Sequence, residues 1–168
     1  CDIVIVSDAG NIMPRINSFN NVVQLLIRTS DIFMNRIKNY QMIQHVYDNY
    51  KFNKKEIAYQ SLGWDFDSCI SGFMDNLKKG AVLEEVITAH EISKKEIENG
   101  DWEKIQYKLE QKINYSEIKA KQPTTNELKI ARSVKTNLKT LKEDQINALI
   151  KQAECLTEIQ VKLYCPTL

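Results

Sequence analysis

The segment that most constrains the fold is the opening run Asp2-Ile3-Val4-Ile5-Val6-Ser7, four consecutive β-branched apolar residues without polar alternation. Successive side chains of a strand point to opposite faces, so a half-buried strand alternates apolar and polar positions. An unbroken apolar run instead fits a strand covered on both faces, as in a parallel sheet sandwiched between helices. Such a strand cannot stand alone, because its backbone N–H and C=O groups need partners on both edges. The other convincing strand is Ile57-Ala58-Tyr59-Gln60-Ser61-Leu62. Two strands do not complete a sheet of this kind, and the chain opens on the first of them without an initiator methionine. The expectation is an interior strand whose remaining neighbours lie outside these 168 residues. On that view the chain is the C-terminal piece of a larger α/β protein, or one half of a two-chain one.

The rest reads as helix. Residues that punctuate turns are scarce: the chain has 5 Gly and 3 Pro, where average usage would supply about 20 of the two together. That excludes collagen-like, low-complexity and largely disordered chains, and it argues against an all-β sandwich. The length suits one domain with a core of ordinary size. From Ser18 to Tyr50, Phe19, Val22, Val23, Leu26, Phe33, Ile37 and Tyr40 recur at three- and four-residue steps. Arg28, Asp31, Arg36 and Lys38 interrupt the other faces, which predicts a core-packing helix. A second apolar set (Leu25, Ile32, Met42, Ile43, Val46, Tyr47) widens the stripe. A helix lying in a membrane surface would show a cleaner Lys- and Arg-rich face.

Tyr59 to Asp67 predicts the second strand and an aromatic turn with Trp64 and Phe66, and Ser71 to Ile118 is helical again. Gly100 followed by Asp101 ends one helix and starts the next, after which Trp102, Ile105, Leu109 and Ile113 trace one face. Pro123 breaks the pattern, and Thr124-x-x-Glu127 and Thr140-x-x-Glu143 have the spacing of capping boxes. The last helix carries Ile146, Leu149, Ile150, Ala153, Leu156 and Leu163 on an expected core face, and Pro166 closes it.

Charge and chemistry narrow the function mainly by exclusion. The formal net charge is +1, so no overall field favours nucleic acid or anionic lipid. Residues 84–103 carry seven acids against two bases, and residues 117–142 seven bases against two acids. Solvated helix faces explain both stretches, including Glu84, Glu85, Glu96 and Glu98. The basic stretch has no aromatic residue to stack on a base, so no nucleic-acid partner is expected. Cys1, Cys69, Cys155 and Cys165 form no Cys-x-x-Cys pair and read as reduced thiols. No apolar run is long enough to span a bilayer, which reads as a cytoplasmic protein. Gly-x-Ser-x-Gly, Walker and Gly-x-Gly-x-x-Gly motifs are absent. His90-Glu91 begins like a zinc-protease helix, but Lys94 stands where the second His belongs. His45 reads as a packing or surface residue. Neither a metal nor a cofactor is expected.

One polar position remains. Asp8-Ala9-Gly10-Asn11 follows the first strand, at the carboxyl end where open α/β sheets place their ligands. Asp8 is thus a substrate-binding candidate. The other reading has Asp8 capping local amides while Gly10 supplies an unusual φ. A Mg²⁺-dependent phosphohydrolase built on Asp8 is a further option.

Cys1-Asp2-Ile3-Val4-Ile5-Val6-Ser7-Asp8-Ala9-Gly10 and then Arg28-Thr29-Ser30-Asp31-Ile32-Phe33-Met34-Asn35-Arg36-Ile37 resemble the C-terminal region of bacterial patatin-like phospholipases. Ala131-Arg132-Ser133-Val134-Lys135-Thr136-Asn137-Leu138, and the ending Tyr164-Cys165-Pro166, are similar to that family's closing segment. The likeness covers about the first fifty and the last forty residues, leaving about 68–120 as a helical insertion. It implies an α/β/α sandwich of which this chain is the C-terminal part, mostly helical with one or two core strands. It also implies hydrolysis of lipid acyl esters by a Ser–Asp dyad, with peripheral membrane contact. The family's serine elbow and its Asp-Gly-Gly or Asp-Gly-Ala motif are both missing here, and Asp8-Ala9-Gly10 has the wrong order for the latter. The resemblance therefore places no catalytic residue in this chain and makes an N-terminal catalytic half its partner. A non-enzymatic helical interaction module, docking on another protein through apolar faces, is the alternative.

Overall fold

Ile3–Asp8 forms β1 and Glu56–Ser61 forms β2. They pair in parallel, from Ile3 opposite Glu56 to Asp8 opposite Ser61. The computed structural model describes residues 2–8, 18–42, 54–134 and 140–168. The chain divides into two units, Cys1–Asn11 with Lys55–Leu168, and Ile12–Lys54. The first holds the sheet and seven helices among the described residues: α2 (Ser68–Lys78), α3 (Glu84–Ala89), α4 (Lys94–Asn99), α5 (Trp102–Lys112), α6 (Tyr115–Ala120), α7 (Thr125–Ser133) and α8 (Glu143–Tyr164). The second holds α1 (Val22–Met42). At this coarse level the fold is α/β, mostly helical with a two-stranded parallel sheet.

Residues paired across parallel strands share a face. Ile3, Ile5 and Ser7 therefore lie with Glu56, Ala58 and Gln60, and Val4, Val6 and Asp8 with Ile57, Tyr59 and Ser61. The first face meets α8, which runs antiparallel to β2. Thr167, just beyond α8, bonds Glu56 at 2.9 Å, Thr157 bonds Gln60, and Gln152 reaches the Leu62 carbonyl at 3.4 Å. α8 covers the Glu56, Ala58 and Gln60 side of β2, and β2 is buried at every position but Ile57. Among the described residues β1 has one strand neighbour, and Ile5 remains 50% exposed. Among the described residues β1 is therefore covered only in part, where the expectation is an interior strand completed by neighbours outside these residues.

The core lies among the helices. α2 buries Cys69, Ile70, Phe73, Met74 and Leu77, the three- and four-residue spacing of one helical face. Ile105 and Leu109 of α5, Ile118 of α6 and Leu156, Ile159 and Leu163 of α8 join them. A side chain of this size is worth about 1.5–3 kcal/mol when fully buried, so this cluster is the main term holding the unit together. The expected face of α5 is found, with Trp102 packed at its margin. The region expected as an insertion thus shares one core with α8.

The helical stretch expected from Ser71 to Ile118 is cut into separate helices, and the backbone shows why. Gly80, Glu91, Gly100 and Asn114 have φ of 66°, 57°, 73° and 56°. A left-handed residue cannot continue a right-handed helix. Gly100 ends α4 as its sequence position predicts, whereas Asp101 takes the cap position of α5 without a side-chain cap bond. The Thr124 box forms: Thr124 N–H donates to Glu127 Oε2 at 2.6 Å, and Glu127 N–H to Thr124 Oγ1 at 3.3 Å. The Thr140 box does not open α8. That helix starts at Glu143, with Lys142 N–H donating to Gln145 Oε1 at 3.0 Å. Its buried face is also rotated from the expected one. Leu156 and Leu163 are buried, but Ala148, Gln152, Cys155 and Ile159 complete the face while Ile146 and Ile150 stay 42% and 49% exposed.

Within its own unit, α1 opens on Asn21, whose Oδ1 accepts from Gln24 N–H at 2.8 Å. The helix forms where apolar periodicity predicts it but buries none of its residues, contrary to the core-packing expectation. The later part of the expected Ser18–Tyr50 segment, including His45, lies outside the described residues, as does Cys1. No helix among the described residues is long and apolar enough to cross a membrane.

Candidate site at the carboxyl end of the strand pair

Parallel strands end together, so the register that sets Asp8 beside Ser61 brings the last side chains of both strands to one edge. Asp8 is placed there as the sequence predicts. Its Oδ2 accepts from the Tyr59 hydroxyl at 3.4 Å, and the Tyr59 ring packs against Trp64 with centroids 5.4 Å apart. The turn Ala9-Gly10-Asn11 lies outside the described residues.

On the opposite face Gln60 Nε2 reaches both Ser7 Oγ, at 3.4 Å, and Thr157 Oγ1, tying β1, β2 and α8 together with one amide. One turn toward the start of α8, Gln152 Nε2 donates to the carbonyls of Leu62 and Trp64 at 3.4 and 3.2 Å. Arg132 Nη2 of α7 donates to the same Trp64 carbonyl at 3.3 Å. The segment leaving β2 is held by a buried amide on one side and a guanidinium on the other. Gln60 Oε1 and Gln152 Oε1 are buried without hydrogen-bond partners. Acceptors left in that state are costly, and sites of binding commonly contain them.

Sequence reading found Asp8 but missed Gln60, Gln152, Thr157 and Tyr59. The available signal was two glutamines within otherwise apolar stretches, one in a strand and one on a core helix face. It also read Glu96 as part of a solvated face, which the structure corrects. Glu96 is buried and accepts from Lys108 Nζ at 2.6 Å, from Ser93 N–H at 3.1 Å and from Lys104 Nζ at 3.1 Å. These donors, Lys108 foremost, hold its carboxyl well below the usual carboxylate range. Glu96 thereby closes the Ser93 capping box of α4 and ties it to α5. Its neighbours in the acidic stretch behave as expected, Glu84 pairing with Lys94 at the surface.

The remaining reactive groups are not arranged for attack. Burial pushes the thiols of Cys69, Cys155 and Cys165 up to about 11, which leaves them protonated and unreactive near neutral pH. His90 is buried far from Asp8 in sequence, with Nε2 committed to the Leu163 carbonyl at 2.9 Å. Among the described residues no three His, Cys, Asp or Glu side chains come together as a metal site. The carboxyl edge can accept and donate hydrogen bonds and hold a turn in place. Comparison of the chain with protein-family models, with curated proteins and with solved structures gives no match.

Proposed function

We propose that this chain is the C-terminal part of a patatin-like lipid acyl hydrolase whose Ser–Asp dyad lies outside it. The observation that carries this reading is the strand pair. All-parallel sheets occur almost only with both faces covered and are rarely two strands wide. Here the apolar, β-branched β1 has a single strand neighbour among the described residues, and Ile5 is half exposed. A strand of that composition is matched to a wider sheet. In such a sheet the edge carrying Asp8, Tyr59 and Ser61 would border the reaction centre, with Tyr59 bracing Asp8. The chemistry expected of the whole is attack by the serine on the acyl carbonyl, Asp as base and backbone amides holding the oxyanion. The contribution of this chain would be support and orientation.

Hydrolysis of p-nitrophenyl butyrate by residues 1–168, and by a longer form carrying upstream sequence, tests the proposal. The expected result is turnover by the longer form alone. Turnover by residues 1–168, or an upstream sequence without a serine elbow, would overturn it. One observation favours the alternative of a non-enzymatic interaction module. α1 presents Val22, Val23, Leu26, Phe33 and Ile37 exposed along its length and buries none of its residues. That module folds cooperatively alone and has no upstream nucleophile, so the same experiment separates the two.

A further inference from the structure

The end of α8 and the tail after it are fastened by His90, by Asn76, whose Nδ2 donates to the Tyr164 hydroxyl at 2.9 Å, and by Glu56. His90 Nε2 lies 2.9 Å from the Leu163 carbonyl oxygen. Thr167 Oγ1 donates to Glu56 Oε1 at 2.9 Å. His90 is the one whose protonation state the geometry defines. A carbonyl can only accept, so Nε2 carries the proton, and Nδ1 is the bare nitrogen of a neutral ring. That nitrogen has no partner, the residue is 2% exposed, and the ring lies T-shaped to Phe73 at 5.6 Å between centroids.

A second proton must go onto Nδ1 and would place a cation against an apolar wall. Burial accordingly holds His90 below the ordinary imidazole range, with Lys112 adding to the depression. The Leu163 carbonyl and Glu56 pull the other way. Glu56 of β2 and Lys112 of α5 are the charged groups acting on the ring, and Lys112 is itself paired with Glu91. A protonated His90 needs water, and partial opening costs less than opening the whole core. Part of its cover is the end of α8 with its tail, where Leu163 reaches the core and Tyr164 packs on Phe73 at 5.1 Å between centroids.

We propose that residues 163–168 form an acid-released clasp, in which proton uptake at His90 Nδ1 lifts the end of α8 away from β2 while the rest of the hydrophobic core stays closed. Opening bares Ala58, Glu56 and Cys165 together, at the amino end of the strand pair and away from the edge that carries Asp8. The inference is independent of the hydrolase reading.

Amide hydrogen exchange at pH 7.5, 6.5 and 5.5, with each rate divided by its unprotected rate, tests it. A ring that binds its proton near 6.5 when open, and scarcely at all when closed, raises the opening constant by about tenfold between pH 7.5 and 5.5. That rise is expected for Tyr164 and Cys165 and not for Phe73 or Leu109. His90→Gln retains a donor for the Leu163 carbonyl but cannot titrate, so its response should be flat. Thr167→Val removes the bond to Glu56 alone and should raise opening at every pH while keeping the slope. A flat wild-type profile, the same rise in His90→Gln, a lost slope in Thr167→Val, or a rise shared by the core amides would overturn the clasp.

Discussion

Replacing Ile5 by Ala measures how much of β1 this chain covers by itself. The substitution removes three carbons, worth about 0.8 kcal/mol each when wholly buried. Ile5 is 50% exposed, so about half of that is at stake, roughly 1.2 kcal/mol. Leu156→Ala provides an internal standard. It removes the same number of carbons from a side chain that is 0% exposed and leaves a cavity behind, for an expected loss of about 3–4 kcal/mol. Urea unfolding of the two variants and the parent, at constant m-value, gives both numbers. In residues 1–168 the Ile5 loss should be about one-third of the Leu156 loss. In a longer form that supplies further strands and their helices, it should approach the Leu156 value. Equal losses in the short chain would mean that β1 is fully covered by these residues alone, and the argument for a wider sheet would fail with it.

Other consequences can be checked in the same way. Gln152→Met takes a donor from the Leu62 carbonyl and leaves the Trp64 carbonyl to Arg132 alone, and should cost about 1 kcal/mol in the same urea assay, offset in part by removing the unpartnered Oε1. Glu96 has its folded-state pKa depressed, so its stabilisation is complete above the unfolded carboxylate value and is lost progressively as pH falls from there through the lower folded-state value. Glu96→Gln should lower stability at pH 7 and flatten the acid limb below about pH 4.5, read as unfolding midpoint against pH. Gly100→Ala puts a Cβ on a residue with φ of 73°, and thermal unfolding should show a loss of about 1–2 kcal/mol from the left-handed backbone. The nearest side-chain atom, Trp102 Nε1, lies 3.5 Å from that Cβ, an ordinary contact that adds little.

What could be read from the sequence was whatever depends on neighbours a few residues away. The strands, the Gly100 stop, the Thr124 box and the Ile105–Leu109–Ile113 face all follow from local chemistry or from a period of two or 3.6. What escaped depends on partners distant in the chain. Glu96 looks like any surface carboxylate until α5 folds back and brings Lys104 and Lys108 to it. The buried face of α8 was misjudged because apolar content alone favours Ile146 and Ile150 over Gln152, whereas the segment after β2 supplies carbonyl partners for the Gln152 amide. Asn114 and Glu91 adopt left-handed backbone that a sequence pattern assigns first to glycine. At the carboxyl edge Asp8 was legible from strand polarity, but the amides behind it were not, since their meaning lies in contacts 88 to 97 residues apart.

The antiparallel seating of α8 on β2 also sets a timetable for synthesis. The groups that close over Gln60 and Glu56 come 97 and 111 residues after them, which at about 5–20 residues per second keeps the strand waiting about 5–20 s. Throughout that interval a nascent chain presents β2 naked on the side its last helix will occupy, an opening for chaperones and for pairing with a neighbouring polysome's product. Substitutions that weaken α8 should therefore be felt first as poor yield from the ribosome, before any loss is apparent in the finished molecule.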